Sequence, residues 1–211
     1  MLRRAAAVRL DIDERELKVG IRVLNIGGVV TGQIFLSDSL ENGAGYSSLL
    51  GRPAEMESLL CFILGQGNTR FHAPLVAPSH ANACQTSCPD CIRDFSNLPF
   101  HNILDWRLGM DVARVALDPN APVDFNVGYW QPLVQNAAQA YFGGQQNWAV
   151  VPHAPAPSGR SGNQIEIITH PLWSASAPRH HDFDAAVQSA QASTGVPPAV
   201  KSLFDVLRRP Y

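Results

Sequence analysis

Cys84-Gln-Thr-Ser-Cys88-Pro-Asp-Cys91-Ile-Arg-Asp-Phe-Ser-Asn97-Leu-Pro-Phe-His101 puts three of the chain's four cysteines into one short segment, with a histidine shortly after them. A tetrahedral zinc site needs soft thiolate or imidazole donors brought together by tight turns. The Cys88-x2-Cys91 loop supplies two of them. Cys84, Cys88 and Cys91 as thiolates, with neutral His101, would close a set of three sulfurs and one nitrogen at the mouth of the following helix. Such a site leaves no open position for water, so the metal would be structural. His80 is close enough in sequence to compete for the fourth place, whereas Cys61 lies in an apolar helical pattern and reads as core. The competing reading is three buried or redox-active thiols.

Working outward, 211 residues at 45% hydrophobic content can bury one sizeable core or two small ones. Sixteen Lys plus Arg stand against 18 Asp plus Glu, a formal charge of -2. That balance excludes the single-sign field of an autonomous nucleic-acid binder. All of the cations except Lys18 and Lys201 are arginine. Arginine favours bidentate contacts with phosphate or carboxylate, although GC-rich coding gives the same bias. Clustered cysteines suit a reducing compartment better than a secreted disulfide framework. No apolar run reaches signal or membrane-span length, so a cytoplasmic, membrane-free protein is expected.

The patterning predicts a mixed α/β protein of α+β type. Residues 5–37 read as β: Val19, Ile21 and Val23 alternate with Gly20 and Arg22, and Asn25-Ile26-Gly27-Gly28 turns the chain into 29–36. Asp38 or Ser39 would cap a helix to about Leu50, and Arg52-Pro53-Ala54-Glu55 opens another with Leu59, Leu60, Ile63 and Leu64 buried. Residues 65–83 read as loop. Asn102 would cap a helix over 103–117, with Leu104, Leu108, Val112 and Val115 on its apolar face and Arg107, Asp111 and Arg114 opposite. Asp118-Pro-Asn-Ala-Pro122 divides a sheet-helix body with its knuckle (1–118) from a smaller α/β segment (123–211). That segment reads as helices near 132–142 and 183–192, strands at 148–151 and 164–169, and a tail apolar from Val200 to Leu207.

The cysteine triplet followed by Asn97, His101, Leu104-Asp105 and Arg107 resembles the MrfA-type zinc-binding domain, found at the C-terminal end of certain bacterial DEAD/DEAH-box helicases and related anti-phage defence proteins. Upstream, Leu36-Ser-Asp38-Ser-Leu-Glu-Asn42-Gly43-Ala44-Gly45-Tyr46 looks like that family's Asp-to-Gly-Ala-Gly segment, so two motifs match in order. The tail, with His170-Pro171-Leu172-Trp173 and Leu203-Phe204 before Arg208-Arg209-Pro210, is similar less specifically. The resemblance implies a Zn2+ site and a partner carrying the ATPase motor or belonging to a defence complex, with DNA as a possible ligand. The sequence has neither a Gly-x4-Gly-Lys-Ser/Thr phosphate loop nor an Asp-Glu-x-His box. The role expected is therefore a non-catalytic module for subunit docking or nucleic-acid guidance.

Other residues carry weaker readings. Arg107 and Arg114 could meet a phosphate backbone while Trp106 or Phe95 stacks on an unpaired base; alternatively Trp106 is core and Arg107 pairs with an acid. The turn Asn42, Gly43 and Gly45 could offer backbone N–H groups to a phosphate, or simply let a helix pack tightly. His180-His181-Asp182 resembles metal-ligand material but reads better as a solvated helix start capped by Asp182. Two rival classes remain: a metal-dependent nuclease using Glu166, Asp182 or Asp184, and a purely structural scaffold.

Overall fold

Ala5-Ala6-Ala7, read from sequence as the start of a β region, is helical in the computed structural model, which describes residues 1–151, 155–176 and 179–208. Alanine is the strongest helix former, and these three small side chains are fully buried where helix α1 (Leu2–Leu10) packs on α3 (Pro53–Ile63). The chain divides into two units: Met1–Ala77 with Val112–Pro119, and Pro78–Asp111 with the described residues from Asn120 onward. The cysteine segment belongs to the second of these units.

In the first unit, β1 (Leu17–Ile26) and β2 (Val29–Asp38) form an antiparallel hairpin with Ile21 opposite Ile34 and Ile26 opposite Val29. Gly27 and Gly28, at φ of 59° and 86°, make the two-residue turn that matches strand twist. The alternation read from sequence is real, but the apolar side is not buried: Ile21, Val23 and Val30 are each more than 70% exposed. The Asp38 carboxylate accepts N–H bonds from Gly45 (3.1 Å) and Ser47 (2.9 Å) and so caps α2 (Tyr46–Leu50). A protein carboxylate thus already fills the place where Asn42, Gly43 and Gly45 were read as a phosphate cradle. A Cβ on Gly43 would lie 2.7 Å from that of Asp38, so its role is close packing. The loop expected at 65–83 holds two short helices, α4 (His72–Val76) and α5 (Pro78–Ala83). Their prolines sit in the first turn or so, where a missing N–H costs little.

Helix α6 (Trp106–Leu117) starts three residues later than expected, because Asp105 and not Asn102 is its cap. Asp105 Oδ1 accepts from the N–H groups of Arg107 (3.0 Å) and Leu108 (3.3 Å). In the second unit, α7 (Gln131–Gly143) lies against a four-stranded sheet in the order β3 (Ala149–Val151), β4 (Ser158–Ser161), β5 (Gln164–Thr169), β6 (Ala199–Ser202). The first three strands are antiparallel. β6 runs parallel to β5, joined to it through α8 (His181–Thr194), and α9 (Leu203–Arg208) follows. Trp106, Trp130, Phe142, Ile167, Ile168 and Leu203 are fully buried and form this unit's core. The mixed α/β class matches the patterning. Residues 152–154 of the proline-rich loop, Pro178, and Arg209 and Pro210 of the tail lie outside the described residues.

Candidate metal centre

His80 sits on α5 and Cys84 follows the helix, its N–H donating to the His80 carbonyl at 2.8 Å. That i, i+4 relation puts imidazole and thiol on one face of a helical turn. The chain then turns through Cys88-Pro-Asp-Cys91, where the Cys88 carbonyl accepts from the N–H groups of Cys91 (3.1 Å) and Arg93 (3.0 Å). Together these bring one donor atom from each of His80, Cys84, Cys88 and Cys91 within 4.8 Å of one another. Cys84 Sγ and Cys91 Sγ are 3.9 Å apart, and Cys88 Sγ and His80 Nε2 are 3.4 Å apart. The edges of a zinc tetrahedron are about 3.8 Å between sulfurs and about 3.5 Å between sulfur and nitrogen. The donor set therefore fits a tetrahedral metal ion held by four protein side chains.

His101 is not in the group, a correction to the ligand set read from sequence. Its Nε2 lies 2.8 Å from Asn97 Oδ1 and 3.0 Å from the Asp94 carbonyl. Both neighbours are oxygen acceptors, so this nitrogen carries a hydrogen and has no lone pair for a metal. Asn97 in turn closes a capping box with Asp94 around the 3-10 helix Phe95–Phe100. Cys61 lies on α3 in the first unit and is not one of the four residues of the group. His80, the competitor for the fourth place in the sequence reading, takes it from four residues before the first cysteine.

The sulfurs are electronically unequal. Hydrogen bonding from Cys84, with help from the Cys88 backbone N–H at 3.0 Å, holds Cys91 down to about 5, against the opposing effect of burial. Cys84 is driven in the other direction, first by that same bond and then by burial. The Cys88 N–H thus favours negative charge on the Cys91 sulfur.

Arg107 braces this site from within. It is 1% exposed. Its Nη1 donates to the carbonyls of Cys84 and Gln85 (both 2.9 Å), Nη2 to that of Ala81 (2.7 Å) and Nε to that of Tyr129 (2.7 Å). Burial pulls its pKa down, opposed by Asp105 and by the sulfurs of Cys84 and Cys91. Three thiolates and a neutral imidazole around a divalent ion leave one net negative charge, which this guanidinium is placed to offset. Trp106, fully buried, packs beneath the guanidinium at 4.3 Å from its ring centroid and against His80 at 5.4 Å. The proposed nucleic-acid roles of Trp106 and Arg107 are therefore corrected: neither reaches solvent. Arg114 belongs to the first unit, half-buried, and its charge helps lower the pKa of His72 after burial does.

Asp111 on α6, expected on the polar face, is also buried. Its carboxylate accepts from Tyr129 Oη (2.6 Å), Trp130 Nε1 (2.7 Å) and His170 Nε2 (3.1 Å). Asp105, paired with Arg208 at 3.4 Å, has its pKa raised to about 6 by burial, which outweighs the Leu108 N–H and the two arginines. The folded state thus holds this proton more tightly than the unfolded chain. The contribution of Asp105 to stability is greatest in acid and falls as pH rises from about 4 to 6. Asp105→Asn is expected to remove that dependence. The stability difference between the variant and the parent should move by about 2–3 kcal/mol across this window in denaturant titrations.

Each of the acids proposed for a nuclease has partners of its own. Glu166 on β5 accepts from Tyr141 Oη at 3.0 Å, Asp184 pairs with Arg179 at 3.5 Å, and Asp182 lies among His180 and His181. His180, not Asp182, caps α8, its ring accepting the Asp182 N–H at 3.3 Å.

Among the described residues no helix is long and apolar enough to cross a membrane. No protein-family model and no solved structure matches the chain. The chain is similar to Druantia protein DruE of Escherichia coli (strain UMEA 4076-1), 32% identical over 111 residues. The matched region is 52% of this chain, and the chain spans only 5% of the length of that protein.

Proposed function

We propose that the chain is a non-catalytic, zinc-stabilised module of an anti-phage defence system that docks onto an ATPase or other protein of that system, guides nucleic acid, or does both. The observation that carries this reading is the closed donor set: His80, Cys84, Cys88 and Cys91 supply four ligands from protein alone. A catalytic zinc keeps an open position, and four protein ligands leave none. The similarity to Druantia protein DruE supports the defence setting. The cysteine, Asn97, Asp105 and Arg107 pattern shared with helicase-associated zinc domains supports the motor partner. Its members here hold the fold: Asn97 orders the turn, Asp105 caps α6 and Arg107 braces the knuckle.

The test is a tagged chain expressed with its neighbouring genes and challenged with phage. Wild-type protein is expected to co-purify with an ATPase subunit and to confer protection, and Cys88→Ser to lose both together. Protection that persists in a metal-free Cys88→Ser protein would remove the module reading. Metal-dependent DNA cleavage abolished by Glu166→Gln or Asp182→Asn would replace it with the nuclease.

A further inference from the structure

We infer that a cleft beside the knuckle binds the phosphates of a single-stranded nucleic acid, with exposed phenylalanines stacking on its bases. This rests on the guidance role above and names its ligand class and residues. The cleft, about 340 Å3, is lined by Thr86, Arg93, His101, Asn102, Phe204 and Arg208 among others, and none of its described lining residues is Asp or Glu.

Both arginines are held in place by other bonds. Arg93 Nε donates to Ser87 Oγ (2.9 Å) and Nη2 to the His101 carbonyl (3.4 Å), which leaves Nη1 unengaged among the described residues. Arg208 Nε donates to the Asn102 carbonyl (2.8 Å) and Nη2 to the Leu104 carbonyl (3.1 Å) and to Asp105 Oδ2 (3.4 Å), while the guanidinium lies 3.8 Å over Phe204. Its Nη1 is the one buried side-chain donor or acceptor among the described residues that finds no partner. That nitrogen is enclosed, so Arg208 contributes charge to the cleft wall, and Arg93 Nη1 is the donor that an anionic oxygen would meet. Thr86 and Asn102 add neutral polar groups to the same wall.

The aromatic half of the site is carried on the chain between two of the lining residues. From Arg93 to His101 the backbone forms the capped 3-10 helix, and this helix holds Phe95 92% exposed and Phe100 55% exposed. Large apolar rings fixed outward beside a cationic cleft match a single strand, whose unpaired bases offer faces to stack on. A duplex keeps those faces covered. The chain's overall charge of -2 also fits a local grip on one or two phosphates better than a long electrostatic footprint.

The experiment uses the full-length, metal-loaded protein and a labelled oligothymidine of about fifteen nucleotides, followed by fluorescence anisotropy. Binding is expected at low ionic strength, weakening with salt at a log–log slope of about -1 to -1.5 for two phosphates. Phe95→Ala, which removes no buried contact, is expected to weaken it about tenfold. Arg93→Gln should weaken it and reduce the slope by about 0.7. Arg15→Gln, at an 88% exposed site in the other unit, serves as the control and should change neither. Metal content and circular dichroism confirm that each variant is folded. Absence of binding, or binding indifferent to both Phe95→Ala and Arg93→Gln, would overturn the inference. So would inorganic phosphate or thymidine monophosphate competing as well as unlabelled oligothymidine, since the cleft would then serve a free phosphate. If binding fails while the ATPase subunit still co-purifies, the module reading stands and this inference alone falls; if both fail, both fall.

Discussion

Cys91→Ser protein is expected to lose its bound metal and about 5 kcal/mol of stability, a fall in Tm of about 10–20 °C for a chain of this size. The Cys91 sulfur accepts the Cys88 N–H, which favours its negative charge, and it sits 3.9 Å from Cys84 Sγ. Serine keeps the shape of the turn but offers a hard, neutral oxygen where a soft anion is needed. The wild type should carry one zinc equivalent by elemental analysis and show thiolate-to-metal charge-transfer absorption after cobalt exchange. The fourth ligand is decided by a pair of variants: His80→Ala should release the metal, and His101→Ala should keep it. Retention by His80→Ala with release by His101→Ala would restore the ligand set read from sequence. Purified protein without metal, unmoved in Tm by a chelator, would remove the metal centre altogether.

The second large effect is expected at Arg107. Arg107→Leu should cost about 3–5 kcal/mol, because it takes a charged donor from four carbonyls, of which that of Cys84 keeps only the longer bond from Trp106 Nε1 at 3.4 Å. Four carbonyls, of Ala81, Cys84, Gln85 and Tyr129, lose their donor at once. The thiolate site also loses its nearest compensating charge, so metal should be released at a lower chelator concentration. Arg107→Lys is expected to recover little, since a compact ammonium cannot span four acceptors arranged around a planar fork. Urea unfolding followed by circular dichroism, with chelator competition alongside, reads both consequences. A variant of parental stability would show that the guanidinium is not a structural clamp.

Arg107 and Asp111 also show where sequence reading stops. A period of 3.6 correctly marked a helix through Leu117, and the same logic placed the charged residues outward. The structure buries them because their partners are supplied from afar: His170 is 59 positions from Asp111, and Tyr129 is 22 from Arg107. No local pattern records such pairs. The hairpin was legible because alternation and a Gly-Gly turn are both local signals, and three of the four metal donors were legible because thiol spacing is local too. His80 was legible only as a competitor to His101, because Pro74 and Pro78 looked like loop punctuation although each falls within the first turn of a short helix. The opening alanines carried no period at all. Their packing on α3 needed only their small size.

The ribbon formed by β1 and β2 has a practical consequence at the bench. Among the described residues no further strand pairs with either of its long edges, and one side is rich in isoleucine and valine. Concentrated stocks of the purified chain will tend to stick together strand to strand, and turbidity on storage would reflect the hairpin while the knuckle stays folded. Threonine at positions 21 and 30 keeps the β preference while lowering greasiness, and the glycine turn still sets the pairing. Such a version is the better starting material for crystallisation.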